Sequence, residues 1–235
     1  MTRTRRATVA MLLVGLAIFS SLYSTQAILP TLVQNMGLSS TEAAMTVSAA
    51  TGALALCVVP ASILSERFGR GRILLISAVS ATSVGLIVPL AAEGWHLILL
   101  RGLQGALLSG APATAMAWLS EELDDKALPR AMGLYIAGTS VGGLTGRLIP
   151  TGLVEISTWR WALFGSALVS LAFAITSWLL LPAQRNFRPK SIHLTSESRA
   201  LFGHWANRDL ALLFLTAFLS MGTFVSMYNF LTFRL

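Results

Sequence analysis

Charged residues are scarce in this chain of 235 residues. Asp, Glu, Lys and Arg make up only 11% of the sequence, whereas 54% of it is hydrophobic. An average soluble domain carries about 25% charged residues, so this composition excludes an ordinary soluble domain. It predicts an all-α protein in a lipid bilayer. The formal net charge is +7, but the basic residues are dispersed among apolar stretches, so we expect no nucleic acid partner.

Cysteine and histidine are also rare. Cys57 is the only cysteine, which excludes an intramolecular disulfide and a thiolate metal cluster. The three histidines are isolated, and neither HExxH nor GxxxxGK occurs in the sequence. We therefore expect no catalytic residue, no metal and no cofactor, and a membrane-embedded enzyme is the weakest of the alternatives.

Seven apolar stretches are long enough to cross a bilayer, which takes about 20 residues per helix. They cover residues 7–29, 42–63, 73–92, 96–118, 128–152, 160–181 and 210–232. Ser39 followed by Glu42 predicts a capping box at the start of the second helix. Pro30, just beyond the first stretch, predicts the end of the first helix.

Basic residues in the connecting segments predict the orientation, because they are retained on the cytoplasmic side of a membrane. Alternating helices place on one side Arg3, Arg5, Arg6, Arg67, Arg70, Arg72, Lys126, Arg130, Arg185, Arg188, Lys190, Arg199 and Arg208. Only Arg160 and Arg234 fall on the other side. We therefore predict a cytoplasmic N-terminus. The first stretch exceeds a signal-peptide core, so we expect it to remain as a helix; cleavage near 25–27 is the alternative.

One long polar segment divides the chain. Residues 182–209 contain two prolines, five basic residues and two acids, a composition typical of a linker. We therefore predict a six-helix bundle over residues 1–181, a cytoplasmic linker over 182–209 and a seventh helix over 210–235 that begins an incomplete second bundle.

The predicted helices carry no acid in their interiors. All ten acids lie at helix edges or in connecting segments: Glu42, Glu66, Glu93, Glu121, Glu122, Asp124, Asp125, Glu155, Glu197 and Asp209. A proton-coupled carrier commonly uses a carboxylate inside the membrane. Proton coupling would therefore require an edge acid such as Glu93, or an acid outside this chain.

The segment 62–72, SILSERFGRGR, connects the second and third predicted helices. It resembles the signature that the major facilitator superfamily carries at this place, with Ser62 for the usual glycine and glutamate for the usual aspartate. The matching residues are Glu66, Arg67, Gly69, Arg70 and Arg72. The resemblance implies that Glu66 and Arg70 belong to a cytoplasmic gate; an ordinary basic anchor is the alternative.

The fourth predicted helix contains Arg101, Gln104 and Gly105, which resemble the fourth-helix signature of the same superfamily. An arginine inside a span is costly in lipid and should face a partner or a watery cavity. Gln104 lies on the same helix face at i+3. We predict that Arg101 and Gln104 border a substrate cavity; the alternative is that Arg101 extends to the outer interface near Trp95.

Glycines recur with a period of four in the fifth helix, at Gly138, Gly142 and Gly146. They predict close packing of another helix; the alternative is a resemblance to the fifth-helix motif of superfamily antiporters, although Thr139 stands where that motif has proline. Arg147 follows as a second cation inside the membrane that needs a partner.

Polar residues in the first and seventh helices complete the predicted substrate cavity. Tyr23 and Gln26 lie three positions apart in the first, and Tyr228 and Asn229 form a similar pair in the seventh. The alternative is that such side chains only make hydrogen bonds between helices.

The resemblance implies a secondary transporter of small solutes in the bacterial inner membrane, most similar to efflux-type members, with protons as a candidate coupling ion. Its bundle would comprise two inverted three-helix repeats, rocking against a second bundle or a second copy of the chain. The alternative is a truncated polypeptide that retains this bundle but does not transport. It would be an inactive membrane polypeptide and not a transporter.

Overall fold

The computed structural model describes residues 1–189 and 207–232, with side chains in the second range as far as residue 227. The described residues contain no strand. Nine α-helices occur in these ranges: α1 Arg3–Tyr23, α2 Leu29–Met36, α3 Ser40–Phe68, α4 Arg70–Ile87, α5 Gly94–Leu108, α6 Gly110–Glu122, α7 Leu128–Val154, α8 Trp159–Leu180 and α9 Arg208–Thr232.

Five segments of the described residues are long and apolar enough to cross a membrane. They are Arg3–Met36, Ser40–Phe68, Arg70–Leu90, Trp159–Leu180 and Arg208–Met227. The predicted fourth span is divided into α5 and α6, each of which is too short alone. The predicted fifth span is α7, 27 residues long, in which Arg147 and several small residues lower the hydropathy.

The start of the second span agrees with the sequence prediction, and the end of the first does not. Ser39 and Glu42 form the predicted capping box: the Glu42 N–H donates to Ser39 Oγ (3.2 Å), and the Ser39 N–H donates to Glu42 Oε2 (2.8 Å). The prediction that Pro30 ends a helix was wrong. Pro30 lies in the first turn of α2, where a missing N–H costs nothing. A turn and a short 3₁₀ helix, Gln26–Ile28, join α1 to α2.

The helix pair α5 and α6 is interrupted at Ser109 and held together by α4. Pro112 cannot donate a backbone hydrogen bond, which weakens the helix at this point. The Ser77 hydroxyl of α4 donates to the Leu107 carbonyl and accepts the Ala111 N–H at 3.2 Å. One side chain therefore replaces the interrupted backbone hydrogen bonds.

Helix α1 runs through the centre of the unit formed by residues 1–189, one of two compact units; the other is 190–235. The glycines of α7 let the two backbones touch, as predicted. A Cβ added to Gly142 would lie 2.8 Å from the Gly15 carbonyl oxygen, and one added to Gly146 would lie 2.5 Å from that of Ser20. The packing interpretation of this glycine stripe is confirmed.

Helix α9 forms the described part of the second unit. The Asn207 Oδ1 accepts the Asp209 N–H at 3.0 Å and so caps the first turn of the helix. The side chains of Tyr228 and Asn229 lie outside the described residues, and their predicted place in a cavity stays a prediction.

Candidate functional site

Arg101 of α5 is fully buried among three helices. Its guanidinium donates to the Ser21 carbonyl at 3.0 Å and to the Leu22 carbonyl, and Nε donates to the Thr46 carbonyl at 3.3 Å. Ser21 and Leu22 belong to the last turn of α1, whose carbonyls have no N–H partner within the helix. Arg101 thus caps the C-terminus of α1, where the helix dipole favours a cation.

Gln104 extends the same polar cluster. Its Oε1 accepts a hydrogen bond from Arg101, while its Nε2 donates to Ser21 Oγ (2.8 Å) and to the Ala81 carbonyl (3.2 Å). The predicted pairing of Arg101 and Gln104 on one helix face is therefore present. The interpretation that Arg101 extends to the outer interface does not fit this geometry, because no part of its side chain is exposed.

A small cavity of about 10 Å³ lies against Gln104. Serine hydroxyls line much of it, among them Ser24 of the turn after α1 and Ser166 of α8. Ser166 Oγ is buried and has no hydrogen-bond partner within residues 1–189 and 207–227. A cavity of this size and polarity suits about one ordered water.

Arg147 of α7 meets the predicted pair Tyr23 and Gln26. Arg147 Nε donates to Gln26 Oε1 at 2.9 Å, and Nη1 donates to the Gly143 carbonyl at 2.7 Å. The guanidinium carbon lies 4.2 Å from the centre of the Tyr23 ring, within the range of a cation–π contact. Gln26 is buried, whereas Tyr23 and Arg147 are half-buried.

Five of the seven predicted cavity residues thus form two clusters around one break in the first span. Arg101 and Gln104 are enclosed and hold the end of α1. Tyr23, Gln26 and Arg147 meet beyond this end, where part of the cluster is accessible. The Arg147 guanidinium and the Tyr23 ring lie on the accessible side and can contact a solute. The enclosed pair Arg101 and Gln104 can fix the position of the break.

The predicted gate motif lies at the other end of the bundle, around the junction of α3 and α4. Arg70 Nε is 2.5 Å from Glu121 Oε1 of α6, and Arg70 Nη2 is 3.2 Å from Glu66 Oε1. Gly69 has φ of +101°, which favours glycine and permits the sharp turn between the helices. Arg67 and Arg72 are exposed.

Glu122, which the sequence analysis did not single out, connects three segments at this end. Its Oε2 lies 2.7 Å from Arg3 Nη2, and its Oε1 accepts the backbone N–H groups of Arg185 and Asn186, both at 2.8 Å. The side chain is fully buried. No local sequence pattern predicts such a residue, since its partners lie far away in the sequence.

The pKa of Glu122 depends on competing effects. Burial raises the pKa of its carboxyl, the hydrogen bonds from Arg3, Asn186 and Arg185 lower it, and the net pKa lies below the usual glutamate value. The residue lies beyond the predicted span 96–118. A lowered folded-state pKa means that the carboxylate stabilises the fold above the unfolded-state pKa of about 4.3, and that this contribution is lost as the pH falls through the folded-state pKa.

We expect Glu122→Gln to lower the unfolding temperature at pH 7 and to weaken the loss of stability below about pH 4. The amide keeps a carbonyl acceptor but loses the ion pair with Arg3. Circular dichroism of the detergent-solubilised chain measures both effects. Asp125→Asn, which changes an exposed acid at the same end, is the control. Equal pH profiles for Glu122→Gln and the unmodified chain would contradict the prediction.

A formal match to a catalytic motif occurs in α7. Residues 138–142 read GTSVG, the G-x-S-x-G pattern of a nucleophile elbow. Such an elbow is a sharp turn between a strand and a helix. Ser140 instead lies in the middle of α7, with its Oγ donating to the Ile136 carbonyl at 3.2 Å. This geometry excludes the elbow.

Comparisons with known proteins agree with the helical architecture. The family model described as Major Facilitator Superfamily matches residues 11–235. The chain is 37% identical over 231 residues to the inner membrane transport protein YnfM of Escherichia coli (strain K12), covering 98% of this chain and 55% of that protein. It is 32% identical to the uncharacterized MFS-type transporter YybF of Bacillus subtilis (strain 168), covering 98% and 57%.

A solved structure shows the same fold. The bacterial homolog of the human lysosomal transporter Spinster, in an inward-facing and unoccupied conformation, aligns with a TM-score of 0.63 at 17% identity. The alignment covers 88% of this chain and 49% of that one. The chain spans about half the length of the curated relatives it matches.

Proposed function

Because the chain belongs to the major facilitator superfamily, we propose that it provides one helical bundle of a secondary transporter that moves small solutes across the inner membrane by alternating access. One observation carries this proposal: the first span breaks between α1 and α2, and arginines from α5 and α7 converge on the break. Broken helices whose ends hold charged groups are a recurring basis of substrate sites in secondary transporters.

Residues around the break have different roles in this proposal. Arg147 and Tyr23 contact the solute, with Gln26 fixing the guanidinium. Arg101 and Gln104 are positioning residues that hold the end of α1. The assignment of Tyr228 and Asn229 to a substrate cavity remains a proposal from the sequence alone.

Orientation follows from the basic end of the bundle. Arg3, Arg70 and Arg185 lie on segments that meet at Glu121 and Glu122. Since basic residues are retained on the cytoplasmic side, we place this end and the N-terminus in the cytoplasm. Glu66 and Arg70 then form part of a cytoplasmic gate, which the contact of Arg70 with Glu121 supports.

Export is the proposed direction. It is supported by two segments that resemble efflux-type members, YSTQAILP at residues 23–30 and GGLTGR at residues 142–147. Protons are the proposed coupling ion. The predicted spans carry no acid in their interiors, so Glu93, just before α5, is the candidate proton acceptor within this chain. A second bundle is the proposed partner, and a second copy of the chain is the alternative.

The test is solute flux into proteoliposomes that contain the protein in its full natural reading frame. Labelled gallate and puromycin are suitable first probes, because two relatives that are each 28% identical are named a gallate transporter and a puromycin resistance protein. Flux is measured with and without a pH gradient. Flux of a probe above that of protein-free vesicles supports transport, and acceleration by the gradient supports proton coupling. Absence of flux across a broader panel of organic solutes would contradict the proposed function.

Arg147→Gln is expected to lower this flux at least about tenfold, because it removes a charged hydrogen-bond donor from the solute contact. Arg130→Gln is the matched control: it removes the same charge from the exposed start of α7 and should leave flux within about twofold of the unmodified value. Equal flux for the two variants would remove Arg147 from the solute site.

A further inference from the structure

A second cavity lies at the proposed cytoplasmic end of the bundle, apart from the break in the first span. This groove has a volume of about 670 Å³ and lies between the first turns of α4, the last turns of α8 and residues 182–189. Trp118 of α6 forms part of its base. Neither Glu121 nor Glu122 lines this groove.

Two hydrogen-bond donors in this groove have no acceptor among the residues that the structure describes. One is the indole Nε1 of Trp118, although Trp118 is fully buried. The other is Gln184 Nε2, whereas Gln184 Oε1 accepts the Gly71 N–H at 2.9 Å. A buried donor without an acceptor destabilises the folded protein. A ligand with acceptor oxygens would remove this destabilisation.

Positive charge also faces the groove. Arg67 and Arg72 both line it. Neither side chain forms a hydrogen bond or an ion pair with any part of the chain that the structure describes. Arg70, in contrast, is engaged by two carboxylates. The N-terminus of α4 adds its dipole, which also favours an anion.

The remaining walls of the groove are apolar. Ile76 of α4 and Trp178 of α8 line it and are 53% and 47% exposed. Both helices are long and apolar enough to cross a membrane. In a bilayer these exposed side chains contact lipid tails. The groove therefore joins cations and donors at the membrane surface to an apolar wall that continues into the hydrocarbon.

We propose that this groove binds an anionic phospholipid. The headgroup phosphate accepts the Trp118 and Gln184 N–H groups and pairs with Arg67 and Arg72, while an acyl chain packs against Ile76 and Trp178. Basic pockets between transmembrane helices on the cytoplasmic side bind anionic headgroups in this way. A free phosphate would use the donors but not the apolar wall.

Native mass spectrometry of the detergent-purified chain tests the proposal. We expect the protein to retain phosphatidylglycerol at least about tenfold more tightly than phosphatidylcholine, because each cation near the headgroup adds to the attraction. The double substitution Arg67→Gln with Arg72→Gln should reduce the retention of phosphatidylglycerol to that of phosphatidylcholine. Trp118→Phe should weaken the retention of phosphatidylglycerol less, since this substitution removes only one N–H donor.

A matched control removes the same number of charges from the same end. Arg5→Gln with Arg130→Gln changes two exposed arginines outside the groove and should leave retention unchanged. Equal losses for the two double variants, or equal retention of the two lipids, would overturn the proposal. So would displacement of the lipid by inorganic phosphate, which would identify a phosphate site. Because Arg67 and Arg72 are exposed, their variants remain informative even if Trp118→Phe does not fold.

Discussion

Arg101→Ala is expected to abolish the proposed solute transport and to lower the free energy of unfolding by about 1 to 3 kcal/mol for each buried acceptor that it leaves unpaired. The substitution removes the guanidinium donor from the Leu22 carbonyl at the end of α1, and it leaves the Ser21 carbonyl with only the Ser24 hydroxyl at 3.0 Å. It also leaves Gln104 Oε1 buried without Arg101. The break in the first span then loses the group that holds it in place.

Arg101→Lys tests whether a positive charge at this position is sufficient or whether the shape of the guanidinium is also needed. Lysine keeps the positive charge at the end of α1, but its single ammonium cannot replace the planar guanidinium that contacts both α1 and α3. We expect an unfolding temperature between those of the unmodified chain and Arg101→Ala. Proteoliposome flux and thermal unfolding in detergent measure the two effects separately. Unchanged flux for a folded Arg101→Ala protein would remove this residue from the transport mechanism.

Gly105→Ala is expected to be nearly as damaging, although it adds a single methyl group. The new Cβ would lie 2.6 Å from the carbonyl carbon and 2.7 Å from the Cα of Ala50. The clashing atoms belong to the backbone of α3, so no side-chain rotation relieves the contact. Overpacking of this kind costs about 1 to 3 kcal/mol or more, and separating α3 from α5 also disturbs the bond from Arg101 to Thr46.

Gly102→Ala, one turn earlier in α5, is the matched control. The nearest atom to its new Cβ is the Ala49 Cβ at 4.0 Å, an ordinary contact. Alanine favours a helix over glycine by about 0.5 to 1 kcal/mol. We therefore expect Gly102→Ala to raise the unfolding temperature and Gly105→Ala to lower it. Shifts in the same direction would contradict the close approach of α3 and α5.

Local patterns in the sequence predicted the features that depend on neighbouring residues. The capping box at Ser39, the glycine contact between α7 and α1, and the pairing of Arg101 with Gln104 each rest on a spacing of three or four positions. Pro30 was misinterpreted because a proline beyond an apolar run is compatible with the end of one helix and with the start of the next. Only the path of the chain after Tyr23 distinguishes these cases.

Contacts between distant segments could not be predicted in the same way. Glu122 looked like one acid in a polar run, and Ser77 looked like one small residue in a span. Their importance comes from partners on other helices, at Arg3 and Arg185 for the first and at Leu107 and Ala111 for the second. The sequence also gave no sign that carbonyls at the end of α1 would surround Arg101, since every residue has a carbonyl.

Glu122 brings the two ends of the first unit to one carboxylate, because Arg3 binds one oxygen and the backbone of Arg185 binds the other. Adjacent ends are the geometry that tolerates circular permutation. We therefore expect the helices to pack in the same way when they are synthesised in a different order. A gene that joins residue 185 to residue 3 by a short linker, and opens the chain at the exposed Asp125, should encode the same bundle.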